Sequence, residues 1–269
     1  MEEASNKSEQ SAEEILSALE SQWPLIKIPG YWDSLVENCE NWAAEVSNNK
    51  LWNEIKKLLP DWKSEHRKVT GNPLLSVEGL MDFTHKGKRR ILTKIINKVK
   101  TDESFKNIAL GTSDPPIPQL NDLVRTRISC QYIDGVEFIA NKIVEVARNE
   151  NVFVDREKMG SLEGYFAQHI IIEDTVNYKF MGESSVVTIN CEVQIGTALS
   201  TAIWNSTHKI YEIFRESFEN PSDWQWNPKD PRFISNQIGH MIHLADGLIV
   251  GLRDSKKSNG KKGTRNGLK

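Results

Sequence analysis

The chain has 269 residues, of which 38% are apolar and 26% charged, with a net charge of −3. That composition suits a globular protein of one or two domains that can bury a core without disulfides, and it excludes a strongly basic nucleic-acid-coating protein. Three cysteines, Cys39, Cys130 and Cys191, cannot all pair, and none has metal-ligand spacing. This argues against a disulfide framework or a structural zinc and for a reducing, cytoplasmic setting. No apolar run reaches the ~20 residues of a membrane helix, and the acidic, polar N-terminus lacks the pattern of a secretion signal.

Residues 1–10 read as a loose tail. Ser11 followed by Glu13 and Glu14 reads as a helix start, with Ile15, Leu16, Leu19 and Trp23 at helical spacing. Residues 32–47 and 49–59 read as two further helices, the second stopped by Pro60. Tryptophans 23, 32, 42, 52 and 62 recur about every ten residues. The simplest reading is that each anchors a helix to a shared core, and an aromatic docking surface is the alternative.

In residues 86–100, seven of fifteen are Lys or Arg. Ile91, Leu92, Ile95, Ile96 and Val99 form a stripe at helical spacing, which predicts an amphipathic basic helix. Its charged face is either solvated or a contact for polyphosphate or nucleic acid. Beyond a proline-rich connector, Val124–Ile133 reads as a strand and Gly135–Asn149 as a helix. Asn151–Asp155 reads as a short strand, and Phe166–Val176 and Ser185–Ile195 as two long ones joined by a turn at Met181–Gly182. Thr197–Phe218 reads as a helix, Asn220–Pro231 as a loop and Phe233–Leu252 as an apolar C-terminal helix. A basic, glycine-rich tail reads as disordered. The order strand, helix, three strands, helix predicts a mixed sheet flanked by helices.

Candidate chemistry sits on the strands. Val187, Ile189, Cys191, Val193 and Ile195 point one way, and Thr188, Asn190, Glu192 and Gln194 the other. Arg125, Arg127 and Ser129 share a face of the earlier strand, with Asp122 at its start; paired guanidinium groups grip phosphate oxygens. Asp122 and Glu192, if brought together, suit Mg²⁺, although a surface salt-bridge cluster leaves the same pattern. Gly164 and Tyr165 open a further strand ending in His169. An aromatic there can stack on a base, or simply be half-buried. Trp204, His208 and Tyr211 share a helix face that reads first as core packing.

Taken in order, these residues resemble the RelA/SpoT synthetase domain of alarmone synthetases over residues 84–215. Lys86 and Lys94 fall on the two lysines of that family's first motif, and Asp122 and Arg127 on the second. Gly164, Tyr165 and His169 match the third, and Glu192, Gln194 and Thr197 the fourth, with His208 on the helix that follows. Thr84, Arg90, Gly196 and Thr207 depart from the usual residues, Gly196 standing where the family carries an arginine. No His-Asp hydrolase domain is evident before residue 80, where His66 is the one histidine.

The resemblance implies an α+β fold, a nucleotidyltransferase-like mixed sheet flanked by helices. It places an N-terminal helical region (1–80) before a synthetase domain with C-terminal helix (81–252) and a basic tail (253–269). It implies transfer of pyrophosphate from ATP to the 3′-hydroxyl of GDP or GTP. A toxin-like variant acting on the tRNA 3′ end and a non-catalytic binder are the alternatives. Asp122 and Glu192 become the catalytic and Mg²⁺-holding residues, and Lys86, Lys94, Arg125 and Arg127 the ATP-binding ones. Tyr165, His169, Gln194 and His208 become acceptor-binding. The partners expected are the two substrates, with an antitoxin or a further copy of the chain as additional candidates and no membrane.

Overall fold

The computed structural model describes residues 13–114, 116–160, 164–204 and 223–263. His208, residues 161–163 and most of the helix predicted over Thr197–Phe218 lie outside them. The helices are α1 (13–22), α2 (Tyr31–Ser47), α3 (Lys50–Thr70), α4 (Lys88–Thr101), α5 (Ile133–Asn149), α6 (described over 198–204) and α7 (Pro231–Gly263). The strands are β1 (Leu75–Leu80), β2 (Thr84–His85), β3 (Val124–Cys130), β4 (Val154–Gly160), β5 (Phe166–Phe180) and β6 (Glu183–Thr197). They form one mixed sheet in the order β1-β3-β6-β5-β4, with β2 also pairing β3 antiparallel. The predicted α+β class, a mixed sheet with flanking helices, is the observed one.

The chain divides into two compact units, residues 1–49, 83–125 and 171–192 in the first and the rest in the second. In the first unit, α2 buries Tyr31, Leu35, Cys39, Trp42 and Val46 along one stripe. They join Ile91, Ile95 and Val99 of α4 and Val187, Ile189 and Cys191 of β6 in a continuous core. Polar side chains bordering the stripe fix α2 along β5. Asn38 donates to the Lys179 carbonyl at 2.8 Å and accepts from its N–H at 2.9 Å. The Trp42 indole donates to the Asn177 carbonyl at 2.7 Å, and Glu45 accepts from the Asn177 N–H at 3.0 Å. The side chains thus occupy backbone groups that a strand edge would otherwise leave open. The β5–β6 turn holds Met181 and Gly182 both at positive φ, as a two-residue hairpin of primed type requires.

In the second unit, α3 and α7 each pack on α5. Helix α3 corrects the expectation that Pro60 ends it, since it runs on to Thr70. An internal proline costs about 3 kcal/mol. Burial of Leu51, Trp52 and Ile55 before it and of Trp62, His66 and Thr70 after it outweighs that cost. The five tryptophans do not serve one core: Trp23, Trp32 and Trp42 belong to the first unit, Trp52 and Trp62 to the second. Strands β1 and β2 lie between Pro60 and the basic helix, where the sequence reading placed no element. Helix α7 passes the expected stop at Leu252, because Arg253 pairs with Asp134 of α5 at 2.8 Å and ties the helix down there.

Candidate active site

In the first unit, β2 sets Lys86. The register Thr84↔Arg125 and His85↔Val124 continues as Lys86 N–H donating to the Leu123 carbonyl at 2.9 Å, so Lys86 stands beside Asp122. Lys94 reaches the same carboxylate from α4, its Nζ 2.7 Å from Asp122 Oδ1, and the Lys86 Nζ hydrogen-bonds Oδ2. Lys86 and Asp122 are both buried. Burial by itself raises the Asp122 pKa, but the charges of Lys94 and Lys86 outweigh it and hold the carboxyl at about 2. Burial also lowers the Lys86 pKa; Lys94 and Arg125 push the same way, against the pull of Asp122. Two lysines therefore flank one buried carboxylate, with the Arg125 charge close enough to Lys86 to be felt there.

Glu192 is buried on the polar face of β6. Two residues earlier on that face, Asn190 donates to Asn121, the neighbour of Asp122, at 2.9 Å. Among the described residues no cluster of three or more metal-ligating side chains exists. An all-protein cage is not what a hard divalent cation sharing its shell with water and phosphate needs; one or two ionised carboxylates suffice. Asp122 and Glu192 are carboxylates of the kind such a donor set needs, although in this structure both Asp122 oxygens are paired with Lys86 and Lys94.

In the second unit, Arg127, Tyr165, Ala167, Gln194, Gly196, Ser200, Thr201 and Trp204 line a small, partly open cavity. Arg127 Nη2 donates to Gln194 Oε1 at 3.4 Å. Tyr165 rests on Trp204 with ring centroids 4.3 Å apart, and its hydroxyl is 3.1 Å from Nε2 of the buried His169. Gly164 opens this segment at φ +72°, with the Asn236 carbonyl where a side chain would stand. The strand β5 then carries Phe166 and His169 into the sheet.

The sequence candidates thus fall into two groups. Lys86, Lys94, Asp122, Arg125 and Glu192 belong to the first unit, and Arg127, Tyr165, His169 and Gln194 to the second. Two features were missed. Lys86 and Lys94, read only as phosphate ligands, are the ion-pair partners of Asp122. Trp204, read as core, is a wall of the Tyr165 cavity. Its position seven residues after Thr197, two helical turns into α6, was the available signal.

With that geometry in hand, the molecule was compared with known proteins. No family model and no curated protein sequence matches the chain. Solved structures do match. The small alarmone synthetase 1 from Bacillus subtilis, bound to its product pppGpp, aligns over 76% of this chain and 92% of its own, at 13% identity and a TM-score of 0.50.

The fold is that of a small alarmone synthetase.

A GTP pyrophosphokinase family protein from Streptococcus pneumoniae aligns over 81% of this chain and 96% of its own, at 15% identity and a TM-score of 0.48. The small alarmone synthetase 2 from Bacillus subtilis aligns over 77% of this chain and 98% of its own, at 17% identity and a TM-score of 0.45. The fold likeness to the first of these structures, over 76% of the chain, spans more of it than residues 84–215, where the sequence resemblance lies.

Proposed function

We propose that the chain is an ATP-dependent pyrophosphokinase that transfers the β,γ-pyrophosphate of ATP to a ribose 3′-hydroxyl of GDP or GTP. The observation that carries this reading is the pairing of Lys86 and Lys94 with an ionised, buried Asp122, with Arg125 beside Lys86. Such a cluster is built for a polyphosphate: the lysines exchange one carboxylate for several phosphate oxygens, and Arg125 adds a planar, bidentate grip. Mg²⁺, held by Asp122 and Glu192, would supply charge neutralisation on those phosphates. Glu192 accepts the 3′-hydroxyl proton as the hydroxyl oxygen bonds to the β-phosphorus. The bond from the β-phosphorus to the bridging oxygen breaks, and that oxygen leaves with AMP. In the acceptor group, Tyr165 offers a base a stacking face backed by Trp204, and Gln194 and Arg127 offer polar contacts. His169 holds the Tyr165 hydroxyl. His208 is assigned to the acceptor by the resemblance alone.

One observation favours a second acceptor. Arg127 is the one cation lining the Tyr165 cavity among the described residues, and Gly196 stands where the resemblance expects an arginine. A tRNA 3′-terminal adenosine carries a single phosphodiester charge where GDP carries a diphosphate, and so asks for fewer cations. The chain would then be toxin-like, with an antitoxin or self-association as its restraint.

The test incubates the protein with Mg²⁺ and γ-³²P-ATP, offering GDP, GTP and deacylated tRNA in parallel. Label in guanosine tetra- or pentaphosphate supports the first reading, and label on the tRNA 3′ end the second. Glu192→Gln is expected to lower kcat about 10²–10⁴-fold, the range of a lost general base. No label on any acceptor, or full activity in Glu192→Gln, overturns the catalytic assignment.

A further inference from the structure

The sequence motifs end before residue 210, yet α7, from Pro231 onward, touches three residues, Gly164, Phe166 and Thr197, that adjoin in sequence those lining the Tyr165 cavity. Gly239 lies against the Gly164 carbonyl so closely that neither glycine has room for a side chain. One turn later, His243 stacks flat on Phe166, with centroids 3.8 Å apart and planes 5° apart. At the next turn, Asp246, 1% exposed, accepts a hydrogen bond from the Thr197 hydroxyl. Positions 239, 243 and 246 share one helix face. Each contact lands where β5 or β6 meets the cavity.

Thr197 opens α6. Its Oγ1 accepts from the Ser200 N–H at 3.1 Å, and Ser200 Oγ accepts from the Thr197 N–H at 2.9 Å, a reciprocal cap. A hydroxyl that donates to Asp246 keeps a lone pair turned to Ser200, so the carboxylate fixes the cap's direction. The helix so started carries Trp204, which meets Tyr165. A path of direct contacts therefore runs from Asp246 through Thr197 and α6 to Trp204 and Tyr165. A second runs from Gly239 through Gly164 to Tyr165.

We infer that Asp246 and Gly239 of α7 are positioning residues that hold the Tyr165–Trp204 acceptor platform in place. They act through other side chains and touch no reacting atom. The inference rests on the proposed transfer only for its kinetic consequence; the ordering of residues 164–169 and 197–204 is a property of the protein itself.

The experiment compares the unaltered full chain with Asp246→Ala, Asp246→Asn and Gly239→Ala. Hydrogen exchange is read peptide by peptide, and KM is determined separately for ATP and for whichever of GDP, GTP or tRNA takes label. In Asp246→Ala and Gly239→Ala, amides in 164–169 and 197–204 are expected to exchange about fivefold faster or more, the scale of a lost helix cap. Exchange in α4 stays unchanged. KM for the acceptor rises by a similar factor while KM for ATP holds. Asp246→Asn retains an acceptor oxygen for Thr197 and restores both readouts. Unaltered exchange in those segments, or acceleration spread equally over α4, overturns the inference, as does an equal rise of both KM values. If the unaltered chain labels no acceptor, the proposed function falls and the exchange pattern alone decides the positioning role.

Discussion

Asp122 carries opposite demands, and its pKa shows which wins. Burial disfavours its charge, yet Lys94 and Lys86 hold the carboxyl at about 2, against ~3.9 in an unfolded chain. A depressed folded pKa means that the unfolded chain binds the proton more readily. The resulting stability is fully present above about pH 4 and is lost as pH falls from there through about 2. It amounts to about 2 kcal/mol. Urea denaturation at intervals between pH 5 and 2.5 measures it. Asp122→Asn is expected to start less stable, because two lysines lose their partner. It should then decline less steeply over that window than the unaltered protein. Parallel decline in both proteins would mean that the pairing contributes nothing. At this scale, spacing put Arg125 and Arg127 on one strand face with Asp122 just before it, a pattern that a surface salt-bridge cluster shares. The pairing of Asp122 with Lys86 and Lys94 was not readable, because it depends on β2, a strand of two residues that leaves no periodic trace.

Helices and strands were legible in proportion to their repeat. The stripe of α4, the alternation of β6 and the Met181–Gly182 turn all stand in the sequence, because burial on one side imposes the period. Where tertiary contacts override local preference, the reading failed. Pro60 is carried by burial on both sides of it, and α7 is prolonged past Leu252 by the Arg253–Asp134 pair. The attachment of α2 to β5 belongs to the same class. An asparagine on a helix gives no hint that it will bind a strand backbone 141 residues away, as Asn38 does. Removing its amide in Asn38→Ala leaves the Lys179 N–H and carbonyl without partners in a partly buried place. The expected cost is about 1–3 kcal/mol, the range for stranded polar groups. Asn38→Asp keeps the acceptor and loses the donors, and should fall between. Chemical denaturation monitored by tryptophan fluorescence reads the order. Equal stability of all three proteins would show that water replaces the amide at no cost.

At the scale of the molecule, the open question from sequence was whether the N-terminal helices are a packed extension or a free arm for a partner. The first unit answers it with its core. Leu19, Ile26, Tyr31, Leu35, Cys39, Trp42, Ala43 and Val46 all come from the first 49 residues. They are buried together with Ile91 and Ile95 of the basic helix and with Val187, Ile189 and Cys191 of the strand that bears Glu192. Burying one large apolar side chain contributes about 1.5–3 kcal/mol. Six or more such side chains therefore approach the ~5–15 kcal/mol by which a whole domain is stable. The N-terminal segment thus supplies eight of the 23 buried residues of the core that also holds α4 and β6. A chain beginning at Lys50 is expected to lose the cooperative unfolding transition of the first unit. Its exchange protection should fall to that of unfolded chain in α4 and in 183–192. ATP binding, read by equilibrium dialysis, should disappear with it, because α4, which carries Lys94, loses the partners of its inward stripe. Retention of ATP binding and of α4 protection by the shortened chain would return the segment to the status of a detachable arm.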